Sequence, residues 1–99
     1  MKVLVIEDKK QLVKDIAFCL EVRYPKTEVI PVAEHQKGID LLKTELPDLV
    51  MVDSSLPDID TIDLIREIRE LSDIPLIILC DAESELDRAK GLEAGADDY

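Results

Sequence analysis

The chain has 99 residues, 46% hydrophobic and 35% charged, and a formal charge of −11 from 23 acids against 12 bases. That size and composition exclude two domains and a disordered chain; residues 1–99 read as one small domain that buries about two thirds of its unfolded surface. The charge is uneven, with nine acids and eight bases in residues 1–49 but fourteen and four in residues 50–99, so nucleic-acid contact by this segment is not expected.

Val3 to Ile6 is short, apolar and β-branched, as in a strand buried on both faces of a parallel sheet. Leu12, Ile16 and Leu20 follow at helical spacing and predict an amphipathic helix that packs them into the core, closed by Tyr24-Pro25. Val29 to Val32 is a weaker strand, and Pro31, which cannot donate to the ladder, assigns it to a sheet edge. Ile39, Leu42 and Leu46 predict a second helix closed by Leu46-Pro47, and Leu49 to Val52 a third strand. Ile62, Ile65 and Ile68 predict a third helix, with Thr61 as its N-cap and Ile74-Pro75 closing it. Leu76 to Leu79 is a fourth strand; Leu86, Ala89 and Leu92 predict a fourth helix capped by Gly95. Asp98 and Tyr99 begin a fifth strand. This alternation predicts an α/β fold, a doubly wound parallel sheet with right-handed crossovers.

Cys19 and Cys80 lie far apart inside apolar stretches, the usage of buried thiols in a reducing compartment. No apolar run approaches the roughly 18 residues of a membrane span, and the start lacks a secretory apolar region. A cytoplasmic protein with no membrane contact is the expectation.

Ligands of open parallel sheets bind beyond the carboxyl ends of the strands. Glu7 and Asp8 follow the first strand and Asp53 follows the third, so neighbouring strands would gather three carboxylates that a cation must offset. Mg2+ suits them, since it takes one or two carboxylates and leaves positions for phosphate oxygens. Calcium suits them less, because Asp58-Ile59-Asp60 lacks the glycine and distal glutamate of a calcium loop. The plainer alternative is a turn and N-cap pair at Glu7 and Asp8 with Asp53 a lone strand-end acid. His35, near the start of the second helix, reads as a solvated or capping residue.

The segments VLVIED (Val3 to Asp8), DLVMVDSSLPDID (Asp48 to Asp60), IPLIILC (Ile74 to Cys80) and DRAKGLEAGADDY (Asp87 to Tyr99) resemble, in order, the receiver domain of bacterial two-component response regulators. The resemblance implies a flavodoxin-like strand order 2-1-3-4-(5). It implies that Asp53 accepts a phosphoryl group from a sensor histidine kinase or phosphotransfer domain, a signalling step rather than enzymatic turnover. It also implies Mg2+ held by Asp8, by Glu7 through water, by Asp53 and by the Ser55 carbonyl. The outward face of Lys9 to Val22 would dock the kinase, and Tyr99 would be the aromatic that rotates with the phosphorylated state. The parent regulator would carry an effector, often DNA-binding, for transcription regulation.

Cys80 stands where the family usually has threonine or serine, and a thiol is a weaker donor. Asp81 adds negative charge beside the site. Ser54 and Ser55 replace apolar residues, and Thr61 replaces a glycine. The family's lysine three positions beyond the aromatic, its fifth strand and its fifth helix would follow Tyr99, so a C-terminal truncation is expected. With it come an edge at Leu76 to Leu79, with unpaired backbone groups and an uncovered apolar face, and self-association. An alternative is a pseudo-receiver controlled by partner binding without phosphate. A hydrolase of the haloacid dehalogenase kind, suggested by Asp58-Ile59-Asp60-Thr61, fits less well because that motif does not directly follow an apolar strand.

Overall fold

Four strands and four helices alternate along the chain: β1 (Lys2–Ile6), α1 (Lys10–Arg23), β2 (Glu28–Val32), α2 (His35–Glu45), β3 (Leu49–Asp53), α3 (Thr61–Leu71), β4 (Leu76–Leu79) and α4 (Glu85–Ala94). The computed structural model describes residues 1–80 and 85–99, Glu85 without its side chain. The strands form one parallel sheet in the order β2-β1-β3-β4, the doubly wound arrangement expected from the alternation. Pro31 lies on edge strand β2, where its missing donor costs no ladder bond to a second neighbour.

Side chains alternate across the sheet. Leu4, Ile6, Val50, Val52, Leu76 and Ile78 point to one face and form the main core with Ile39 and Leu42 of α2 and Leu64, Ile65 and Ile68 of α3. Val3 and Val5 point to the other face and are fully buried.

Several sequence expectations are corrected. Leu12, Ile16 and Leu20 are only half-buried, and no α1 residue is buried. The cause is visible on that face of the sheet, where Leu49, Met51, Ile77 and Leu79 are also half-buried, so α1 packs onto the centre of a surface wider than itself. Cys19 is exposed on α1 and Cys80 half-buried; neither is a core thiol. Leu46 turns outward, 77% exposed, because α2 ends there in a left-handed residue with φ 47°. Helix α3 stops at Leu71, before Ile74-Pro75, as the chain becomes extended at Ser72. Its N-cap is Asp60, whose carboxylate accepts from the Ile62 amide at 2.9 Å, and Thr61 is the first helical residue.

In α4 the expected apolar face is reversed: Leu86 and Leu92 are exposed, Ala89 with them, and Gly91 is buried. A Cβ on Gly91 would lie 2.7 Å from Ile78 Cδ1, so the helix turns its smallest residue inward to approach the sheet. Gly95 does cap it, at φ 131°. Asp97 donates its amide to Leu76 O at 2.9 Å, and Asp98 accepts from the Ile78 amide at 3.1 Å. The parallel bridge between Ile77 and Asp98 begins the expected fifth strand, so the β4 edge is partly paired here rather than bare. No described helix is long and apolar enough to cross a membrane.

Candidate functional site

Adjacent strands set the site. The β1–β3 register pairs Ile6 with Val52, so the next residues, Glu7 and Asp53, leave neighbouring strands side by side at the carboxyl end of the sheet. Both carboxylates are nearly sealed from solvent, at 2% and 3% exposure. Asp8 is exposed beside them, and one oxygen from each of the three residues falls within 4.8 Å of the others. The three acids singled out in the sequence are therefore brought together.

Each buried carboxylate has one satisfied oxygen and one orphan. Glu7 Oε1 accepts from the Lys9 amide at 3.0 Å. Asp53 Oδ1 accepts twice from Ser55, from its amide and its hydroxyl, each at 3.0 Å. Glu7 Oε2 and Asp53 Oδ2 have no hydrogen-bond partner among the described residues. A buried unpartnered oxygen is costly, and more so beside a like charge. Desolvation accordingly pushes the Glu7 carboxyl up from 4.5 to about 7, opposed by the Lys9 amide and reinforced by neighbouring Asp53. Such a pair is stabilised by a shared proton or by a cation. The orphan oxygens and the oxygen-only donor set fit a hard divalent ion, with Glu7, Asp8 and Asp53 as the residues that would hold it.

Thr61 donates its hydroxyl to the Asp53 carbonyl at 3.4 Å, tying the start of α3 to the strand end. Cys80 follows β4 and lines a cavity of about 140 Å3 together with Asp53, Lys9, Leu12 and Leu79. Tyr99 follows α4. Its ring packs on Gly91, where a Cβ would sit 2.9 Å from Cε2, and it lines a separate pocket of about 330 Å3 with Ser54, Ser55, Asp60, Thr61 and Lys90. Asp81 lies outside the described residues. His35 is away from the acids, as expected: its ring nitrogen Nδ1 is 2.8 Å from Asp58 Oδ2, which also accepts the His35 amide at 3.1 Å. Asp58 thus caps α2 from the loop that bears the site.

Sequence reasoning missed Arg69. Arg69 donates to Gly95 O at 2.7 Å, Ile74 O at 2.5 Å, Ser72 O at 3.3 Å and Asp97 Oδ2 at 3.0 Å; the periodic pattern of α3 marked its apolar stripe and held no cue for a clamp at its end.

Comparison with known proteins agrees with the geometry. The family model for the response regulator receiver domain matches residues 3–99. Among solved structures, the beryllofluoride-activated N-terminal receiver domain of Klebsiella pneumoniae RstA is similar with a TM-score of 0.91 and 28% identity, over 100% of this chain and 83% of that one. A receiver domain from a Francisella response regulator gives 0.87 and 28%, over 99% and 80%. A response regulator receiver domain protein from Clostridium thermocellum gives 0.86 and 26%, over 99% and 79%.

Proposed function

The chain belongs to the response regulator receiver domain family, and on that premise we propose that it is a phosphoacceptor module of a two-component system, with Asp53 as the residue modified and Mg2+ as its cofactor. The observation that carries this reading is the pair of buried, unpartnered oxygens, Glu7 Oε2 and Asp53 Oδ2, in a three-carboxylate group within 4.8 Å.

The chemistry asks little of the protein beyond position and charge. A carboxylate oxygen of Asp53 forms a bond to phosphorus as the phosphorus–nitrogen bond of a phosphohistidine breaks, its electron pair leaving on the imidazole nitrogen, which takes up a proton. Ser55, donating twice to Oδ1, fixes the rotation of the Asp53 carboxylate. Glu7 and Asp8 supply the remaining negative charge, and Mg2+ when bound neutralises the developing charge on the phosphoryl oxygens; the Ser55 carbonyl is a further candidate ligand. Cys80 lines the same cavity with a weak donor, and Tyr99, which packs near Gly91, is the aromatic that responds to the state of the site in this reading.

The partner is a sensor histidine kinase or a phosphotransfer domain, docking beside the exposed face of α1. One modification per chain makes this a regulatory switch rather than a turnover enzyme; in this reading it works in the cytoplasm on the output of a larger regulator whose effector, such as a DNA-binding domain, lies elsewhere. The beryllofluoride-activated state of the Klebsiella neighbour supports the same reading. Calorimetric titration tests it: Mg2+ binds the unchanged chain and binds Asp53→Asn at least about tenfold more weakly. Equal binding by the two, or none to either, would contradict the assignment.

A further inference from the structure

We propose that His35 and Asp58 are positioning residues for the reaction at Asp53, their contact forming a strap that holds the β3–α3 loop in place beside the acid cluster. This rests on the phosphoacceptor reading of Asp53 and adds to it the means by which the loop keeps its position.

The strap is two bonds to one oxygen. Asp58 Oδ2 accepts the His35 amide at 3.1 Å and lies 2.8 Å from the ring nitrogen Nδ1. The bond from the His35 ring holds the Asp58 carboxyl below its ordinary 3.8, so at neutral pH the acid is an ionised acceptor and Nδ1 carries the hydrogen. Hydrogen bonds to an ionised acceptor are roughly twice as strong as neutral ones. The side chains are 24% and 35% exposed, so water screens part of the charge and the geometry of the contact matters more than its Coulomb energy.

Topology gives the contact its reach. His35 opens α2, after β2, and Asp58 lies in the loop after β3. Strands β2 and β3 are the two neighbours of β1, whose end bears Glu7, so the strap joins the segments on either side of that carboxylate. A closed circuit results. The Glu7 amide donates to Val32 O at 2.9 Å, the chain runs on from Val32 to His35, and His35 meets Asp58. Back along the loop, Ser55 donates twice to Asp53 Oδ1, and Asp53 stands beside Glu7. Thr61 returns the far end of the loop to the Asp53 carbonyl, and Leu56, 6% exposed, anchors it from beneath. These ties run to β3 and the core, whereas Asp58 fastens the loop to a different helix.

Helix α2 receives its cap from outside. Glu34 is the N-cap residue, makes no side-chain cap bond, and the first turn holds no acid; the carboxylate at that end comes from Asp58. A local cap would stabilise the helix alone. A cap supplied by the loop makes the two hold each other, so loosening the contact frees the segment that carries Ser55, and with it the setting of the Asp53 carboxylate.

Beryllofluoride, a stable phosphoryl mimic, provides the test in saturating Mg2+, at a temperature where thermal melts show every variant folded. His35→Ala and Asp58→Ala should each weaken the mimic by at least about threefold, short of the roughly tenfold or more lost when a group bonded directly to a metal ligand is removed. The double variant should lose no more than Asp58→Ala, because both residues act through one contact. Asparagine keeps a donor near the place of Nδ1 in His35→Asn and an acceptor near that of Oδ2 in Asp58→Asn, so each should recover most of the loss. Unchanged mimic affinity in His35→Ala and Asp58→Ala would overturn the strap and leave the pair a helix cap. Losses that add in the double variant, or Asp58→Asn as weak as Asp58→Ala, would also overturn it, the latter by assigning the effect to charge. Should Asp58→Ala fail to fold, His35→Ala against His35→Asn decides, equal affinity in the two refuting the strap. If the unchanged chain bound the mimic no better than Asp53→Asn, the phosphoacceptor reading would fail, and the inference with it.

Discussion

Glu7 and Asp53 were placed correctly by their position after apolar strands, yet nothing in the sequence gives the division of each carboxylate into one bonded and one orphaned oxygen. That division controls the pH behaviour. In the folded, metal-free chain Glu7 titrates near 7 instead of 4.5, so the fold holds its proton more tightly than the unfolded chain does. The associated stability is fully present below pH 4.5 and is lost as pH rises through about 7. Denaturant midpoints without metal should fall between pH 5 and pH 8, Glu7→Gln should flatten that fall, and Mg2+ should oppose it at pH 8; a metal-free midpoint that rises over the interval would contradict the assignment. At Cys80 the expectation concerns donor strength. Cys80→Thr puts a hydroxyl into the cavity beside Asp53 and should tighten beryllofluoride binding several-fold, whereas unchanged binding would mean that this side chain does not face the phosphoryl group.

Among the elements, the strands were legible and the helices less so. A buried parallel strand is marked by a continuous apolar run, and β1, β3 and β4 fall on their runs; Pro31 marked β2 as an edge. A helix is marked by a stripe, and the stripe fails where packing depends on closeness instead of apolar area. Helix α4 turns Gly91 inward and leaves Leu86 and Leu92 outside. Long-range clamps left no local trace. Arg69, at the end of α3, satisfies the carbonyls of Ser72, Ile74 and Gly95 and pairs with Asp97, holding the α3 terminus to the turn that follows α4. Arg69→Ala strands those carbonyls and should cost roughly 2–4 kcal/mol, read in thermal melts as a drop of roughly 10 °C or more at about 4–8 °C per kcal/mol. Arg69→Lys should recover little, since a point donor cannot replace the fork. A shift within a degree or two for Arg69→Ala would refute the clamp. Asp58 acts on a smaller scale. Its carboxylate takes the His35 amide and ring, and His35 holds its pKa below the ordinary 3.8. Asp58→Ala should cost about 1 kcal/mol as a lost helix cap, and that contribution should vanish on acidification below pH 4; an effect that persists undiminished at pH 2 would exclude the cap as its source.

At the scale of the whole molecule, the sheet separates a well-filled core under α2, α3 and α4 from a shallower face under α1. The order of elements made the fold class and the site's location readable, because parallel crossovers leave few topologies and put functional loops at one end. Depth of burial was not readable, since it depends on how wide a surface each helix must cover. Phe18 and Val22, each 68% exposed, and half-buried Met51, Ile77 and Leu79 leave apolar surface on the α1 side. Light scattering of this 99-residue chain should accordingly show association at high concentration, and a constant monomer mass across the range would contradict that expectation.

The central claim is that the acid cluster exists to bring Asp53 to phosphorus with a divalent ion. Incubation with a small phosphoramidate donor, followed by intact mass, tests it most directly in the unchanged chain and in Asp53→Asn, with and without Mg2+. The account predicts the gain of one phosphoryl group that requires Mg2+ and is absent from Asp53→Asn. A gain retained in Asp53→Asn, or no gain in the unchanged chain with Mg2+ present, would contradict it.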